Sequence, residues 1–192
     1  MKPRVITLAG LPGVGKTSAI DVLRRLDPHL EVVSEHSTLA SEVIAQSAQE
    51  CGGSRLAPAL AYLVAEYELA LRYAGNPARA LIRDRGLEDT RYVIETLVAT
   101  GQLPQSLLER LEHPDLLSAD CLVLLTADES VRARRMAKRG RPPLLAEASR
   151  QWEQDFMAGY HEWLISHCRS VKIIDTSAHN PRQVGNLIRS YC

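Results

Sequence analysis

Five short apolar runs punctuate the chain: Val5 to Ala9, Leu30 to Val33, Ala80 to Ile82, Cys121 to Leu125 and Val171 to Ile174. Each has the length of a strand, and the unbroken run Cys121-Leu122-Val123-Leu124-Leu125 suits a strand covered on both faces. Between the runs, the pattern predicts helices over 18–26, 37–50, 57–74, 88–100, 105–111 and about 145–167. In the third of these, Leu60, Leu63, Val64, Tyr67 and Leu71 form an apolar stripe that suits the core or a subunit interface. In the last, Leu145, Ala148, Trp152, Phe156 and Trp163 form a stripe read as core. Asp27-Pro28, Gly75-Asn76-Pro77 and Gly101 stop helices, and Asn180-Pro181 opens one more with a capping residue and a proline at its first position. Strands alternating with helices predict an α/β fold: a parallel sheet whose right-handed crossovers place helices on both faces.

A length of 192 residues with 45% hydrophobic composition supports one sizeable core, so a single domain over 1–192 is expected. No apolar run approaches the ~18 residues of a membrane span, and the first strand begins within a few residues of Met1. A cytoplasmic protein with no membrane partner is expected. Lys plus Arg and Asp plus Glu balance at 23 each, so bulk charge does not point to a nucleic-acid polymer. Cys51, Cys121, Cys168 and Cys192 share no metal or redox spacing and read as reduced thiols.

The chemistry is concentrated in Gly10-Leu11-Pro12-Gly13-Val14-Gly15-Lys16-Thr17, which matches the Walker A phosphate-binding loop and lies between a predicted strand and helix. Glycines let the backbone turn its N–H groups onto an anion, and the helix N-terminus adds partial positive charge. Gly10, Gly13, Val14, Gly15, Lys16, Thr17 and Ser18 are therefore the candidate phosphate-binding residues. Lys16 suits the β- and γ-phosphates, and the Thr17 hydroxyl suits Mg²⁺.

Three other places carry candidate chemistry. Glu35 follows the second strand, where it could accept a proton from a substrate hydroxyl or stand as a solvated carboxylate. Asp84-Arg85 follows the third strand. Taken alone, Asp84 suits a surface ion pair with Arg83; beside a phosphate loop it suits Mg²⁺, and Arg85 suits substrate oxygens. Arg132, Arg134, Arg135, Lys138, Arg139 and Arg141 crowd a helix that Gly140 and Pro142 end, within a candidate lid over about 128–145. Spacings of three and four put Arg132, Arg135 and Arg139 on one face, and Arg135 and Arg139 are the candidates to neutralise a transferring phosphoryl group.

With these motifs in order, the sequence resembles the thymidylate kinase and deoxynucleoside kinase group of P-loop kinases. The resemblance runs through the loop 10–17, Glu35, Asp84-Arg85-Gly86, the arginine-rich segment and Asp175-Thr176 after the fifth strand. It implies a five-stranded parallel sheet, ATP as donor, and a nucleoside or nucleoside monophosphate as acceptor. It also implies that Glu35 lies near the acceptor hydroxyl, that the segment after Asp175 passes the adenine, and that a homodimer can form. The chain departs from both families at Gly86, where they often carry an aromatic residue or a serine. A hydroxylated metabolite or antibiotic is the alternative acceptor, and a nucleotide-binding regulatory ATPase the alternative function. A guanine-specific switch is excluded by the lack of an Asn-Lys-x-Asp signature.

Overall fold

The computed structural model describes residues 3–33, 56–74, 80–138 and 159–191. Five strands form one parallel sheet: β1 (Val5–Ala9), β2 (Glu31–Val33), β3 (Leu81–Asp84), β4 (Cys121–Thr126) and β5 (Val171–Asp175), in the order β2-β3-β1-β4-β5. The expected architecture is the one observed. Strand β1 is central, and all its residues are buried, as are Cys121 to Leu125 of β4. Such runs have no polar face to offer solvent, so helices must cover both sides.

On one face, helix α1 (Lys16–Leu26) packs against the last helix, Pro181–Arg189. Contact is close enough that a Cβ at Gly185 would lie 2.6 Å from Val22 Cγ1. Ile20, Leu23, Val184 and Ile188 join Ile6, Leu8 and Ile82 there in one core cluster. The other face carries α2 (Leu56–Tyr73), α3 (Leu87–Ala99) and α4 (Ser106–Leu111), whose buried residues include Ala59, Leu63, Ala70, Ile94, Leu97 and Leu107. After β4 come α5 (Glu129–Ala137) and α6 (Tyr160–His167), and α7 is the Pro181–Arg189 helix, capped by the Asn180 side chain on the Gln183 N–H.

Two expectations about helices need correction. The helix predicted to run unbroken to His167 does not pass through Gly159: that residue sits at φ +85°, outside the right-handed helix, and starts α6 afresh. Residues 145–158, with Trp152 and Phe156, lie outside the described residues. The stripe expected on α2 is met only in part: Leu63 is buried and Tyr67 packs against the core. Leu60, Val64 and Leu71 are exposed, Leu71 by 77%, while Ala59, Leu63, Glu66, Ala70 and Tyr73 are buried. The turned-in face mixes Leu63, Leu69 and Tyr73 with small alanines and one carboxylate, and a search for large apolar side chains passes over the alanines and the carboxylate. Among the described residues, no helix is long and apolar enough to cross a membrane.

Candidate functional site

The phosphate loop leaves the C-terminal end of central strand β1 and enters α1 at Lys16. Neighbouring strands on its two sides, β3 and β4, connect to opposite parts of the sheet, and crevices of this kind are where open parallel sheets bind ligands. Gly10, Gly13 and Gly15 have φ of +136°, +85° and +101°, backbone that L side chains rarely adopt. A Cβ at Gly10 would also lie 2.3 Å from the Leu125 carbonyl oxygen. The loop is thus both turned and pressed onto β4 by glycine. Lys16 Nζ donates to the Gly10 carbonyl at 2.6 Å, so the ammonium lies across the loop. Thr17 and Ser18 are exposed on the first turn of α1, whereas Val14 is buried and anchors the loop in the core.

A second set of bonds grips the loop's carbonyl groups. Thr176, 2% exposed after β5, donates from its hydroxyl to the Val14 carbonyl at 2.7 Å, with the Thr126 carbonyl a second acceptor at 3.0 Å. Arg135 donates to the Thr176 hydroxyl and carbonyl, both at 2.8 Å, and reaches the Val14 and Gly13 carbonyls at 3.3 and 3.4 Å. Arg132 Nε donates to the Pro12 carbonyl at 3.0 Å. Arg132 and Arg135 do share a face, as their spacing predicts, and that face lies on the loop's backbone. Carbonyls held from this side leave the loop's N–H groups for an anion. Asp175 is exposed and accepts from the Ser177 N–H at 2.8 Å, and its hydrogen bonds to Ser177 hold its carboxyl below the usual range.

The β3 end forms the other wall. Asp84 pairs in register with Leu8, and the Arg85 N–H donates to the Leu8 carbonyl at 3.1 Å, which puts both residues beside the loop as expected. Arg83 does not pair with Asp84. Alternation along the strand turns it under α2 and α3, where its NH2 group donates to both Glu66 oxygens at 2.8 Å. Burial would lower the Arg83 pKa, but the carboxylates of Glu66 first, then Glu88 and Asp89, together offset this and hold it above its ordinary value. Arg85 has φ +64°, and is the one non-glycine residue with positive φ among the described residues.

Gly86 needs its missing side chain for space. A Cβ there would lie 2.6 Å from Thr7 Oγ1 and 2.9 Å from Thr7 Cγ2. The space that a side chain here would need is filled by Thr7 of β1. Gly86→Ala should therefore cost about 1–3 kcal/mol through overpacking, read as a lower urea midpoint. Adding Thr7→Ala should recover most of the loss. Strictly additive effects of the two substitutions would show that Thr7 is not what excludes the side chain.

Glu35 and Arg139 lie outside the described residues. Spacing could not reveal Glu66 or Tyr160 as parts of the site's framework, because Glu66 meets Arg83 and Tyr160 meets Asp89 across many residues of sequence. Cys121 is buried, and burial, then the nearby Glu88 and Asp89 charges, push the half-buried Cys168 thiol up to about 12, in keeping with unreactive thiols. For Mg²⁺ the donor chemistry fits: a hydroxyl at the start of α1 and a partly sheltered carboxylate at the end of the adjoining strand are hard oxygen ligands.

No family model and no curated protein matches the chain. Solved structures do, and they show the fold: it is that of the P-loop nucleoside and nucleotide kinases. Deoxyadenosine kinase from M. mycoides, solved with the products dCMP and a flexible dCDP, superposes with a TM-score of 0.70 at 19% identity over 97% of each chain. Thymidylate kinase from Candida albicans superposes with a TM-score of 0.68 at 18% identity, over 99% of this chain and 91% of that one.

Proposed function

We propose that the chain transfers the γ-phosphoryl group of ATP, as its Mg²⁺ complex, to a small acceptor, a nucleoside or a nucleoside monophosphate. The observation that carries this reading is the phosphate loop: three left-handed glycines and Lys16 at the end of the central strand, with Asp84 and Arg85 on the adjoining strand. Lys16 and the loop N–H groups hold the phosphates, with Lys16 leaving the Gly10 carbonyl for the β- and γ-oxygens. Thr17 and Asp84 would hold Mg²⁺, which neutralises charge on the phosphates when bound. Arg85 positions the acceptor through its planar fork, and Glu35 orients or deprotonates the acceptor hydroxyl. Arg135 fixes the loop through its carbonyls and Arg139 meets the transferring group. The segment beyond Asp175 passes the adenine.

The test is ATP consumption with Mg²⁺ against nucleosides, nucleoside monophosphates and hydroxylated antibiotics, with products identified by mass. A phosphorylated nucleoside or nucleotide is expected. Phosphorylation of an antibiotic alone would keep the mechanism and change the substrate class. Nucleotide binding with no acceptor-dependent turnover would favour the regulatory reading.

A further inference from the structure

The strained backbone at Arg85 raises the question of what holds it. A non-glycine residue in the left-handed region costs free energy and persists only where its surroundings over-determine it. Its own N–H is fixed on the Leu8 carbonyl, and the next N–H, that of Gly86, donates to Asp89 Oδ2 at 2.9 Å. Asp89 stands in the first turn of α3, where a carboxylate also gains from the helix dipole. The other Asp89 oxygen, Oδ1, accepts from the Tyr160 hydroxyl.

Tyr160 comes from α6, far along the chain, and is 2% exposed. Its ring lies edge-on to Tyr92 of α3, with centroids 5.2 Å apart, so the phenol cannot swing freely. Burial, followed by the Asp89 charge, holds its pKa well above the ordinary value, so the hydroxyl keeps the proton it donates. The Gly10 backbone at the mouth of the phosphate loop and Arg85 both lie close enough to this phenol to act on it electrostatically. One hydroxyl therefore meets the phosphate loop, the capping carboxylate and the environment of Arg85.

We infer that Asp89 and Tyr160 are positioning residues for Arg85: the phenol locks the carboxylate that holds the Gly86 N–H, and so fixes the β3–α3 turn in the conformation that presents Arg85 to the acceptor. Neither residue needs to touch substrate. The inference rests on the role proposed above for Arg85, but its structural half stands apart from any activity.

The experiment compares wild type, Tyr160→Phe and Asp89→Asn with two readouts. The first is amide hydrogen exchange of a peptide covering 84–90, on the full chain without nucleotide. Removal of the hydroxyl should speed exchange there at least tenfold while peptides from α1 and α7 stay unchanged. The second is steady-state kinetics with ATP and whichever acceptor the panel identifies. Both variants should raise the acceptor KM tenfold or more and leave the KM for ATP within about twofold, a split that a general loss of folding would not produce. Unchanged exchange at 84–90 in both variants would overturn the inference, whether or not an acceptor has been found. Faster exchange with an unchanged acceptor KM would also overturn it, by separating the turn from acceptor positioning. Absence of turnover in the wild type, with the exchange effect present, would count against the kinase reading and leave the mechanical link standing. Should Tyr160→Phe unfold, Asp89→Asn carries the same comparison, since it keeps the shape of the side chain and removes its charge.

Discussion

Lys16→Ala should lower acceptor-dependent phosphoryl transfer by at least about 10²-fold, with far less effect on folding. Charge that develops on the transferring group is stabilised by donors already in place, and Lys16 is the cation the loop itself carries. In the structure it donates to a backbone carbonyl, at Gly10, across the loop. The loop's shape has other supports: glycines at φ +136°, +85° and +101°, the buried Val14, and the Thr176 and Arg135 bonds to the Gly13 and Val14 carbonyls. The melting temperature should therefore stay within a few degrees of wild type. Lys16→Arg should not restore activity, because a planar guanidinium cannot take the place of a compact ammonium in a loop built of close turns. The measurement is the rate of product formation at saturating ATP, beside circular dichroism. Wild-type turnover in Lys16→Ala would remove the loop from the chemistry.

The contrast between loop and framework explains what could be read from the chain. The loop was legible because its chemistry is one contiguous string, and its flanks, Val5 to Ala9 and the helix after it, are local patterns. Strand β4 was legible for a similar reason: five consecutive apolar residues admit few other fates. Asp84 and Arg85 followed from the rule that strand ends face the crevice, once the sheet was parallel. Arg83 could not be assigned from its neighbours, since its partner Glu66 sits on α2, and a carboxylate within a helix reads as solvent-facing until that helix is docked. Leu60, Val64 and Leu71 misled for the converse reason. Large apolar side chains marked a stripe, but packing of α2 against α3 and α4 turned Ala59 and Ala70 inward beside Leu63. Charge and spacing suggested that Arg135 meets a transferring phosphoryl group, while its acceptors in the structure are Thr176 and backbone carbonyls of the loop, which no sequence pattern displays. The break at Gly159 was present in the sequence as a glycine, yet an apolar stripe on both sides argued for continuity.

The buried pair that sequence could not foresee should dominate stability. Glu66 and Arg83 are 4% and 3% exposed, and their charges meet where no water can screen them. Arg83 NH1 also donates to the Leu117 carbonyl at 3.0 Å, and the Thr90 hydroxyl to Glu66 at 3.3 Å, so the pair ties β3 to α2, α3 and the segment before β4. Glu66→Leu leaves the guanidinium without that carboxylate, and should cost about 3–5 kcal/mol. For a chain of this size, each kcal/mol moves the melting temperature by about 2–4 °C. Arg83→Met added to Glu66→Leu should restore most of the loss, because an apolar pair of similar volume has no charge left to desolvate. Thermal melts of the wild type, both single variants and the double variant measure the coupling directly. Equal destabilisation by the double variant and the sum of the singles would mean that the two charges do not depend on each other. A stable double variant would also separate two roles of β3. Arg83 immediately precedes Asp84 and Arg85, so if acceptor turnover falls in a double variant that melts like wild type, the buried pair sets the strand end's position as well as its stability.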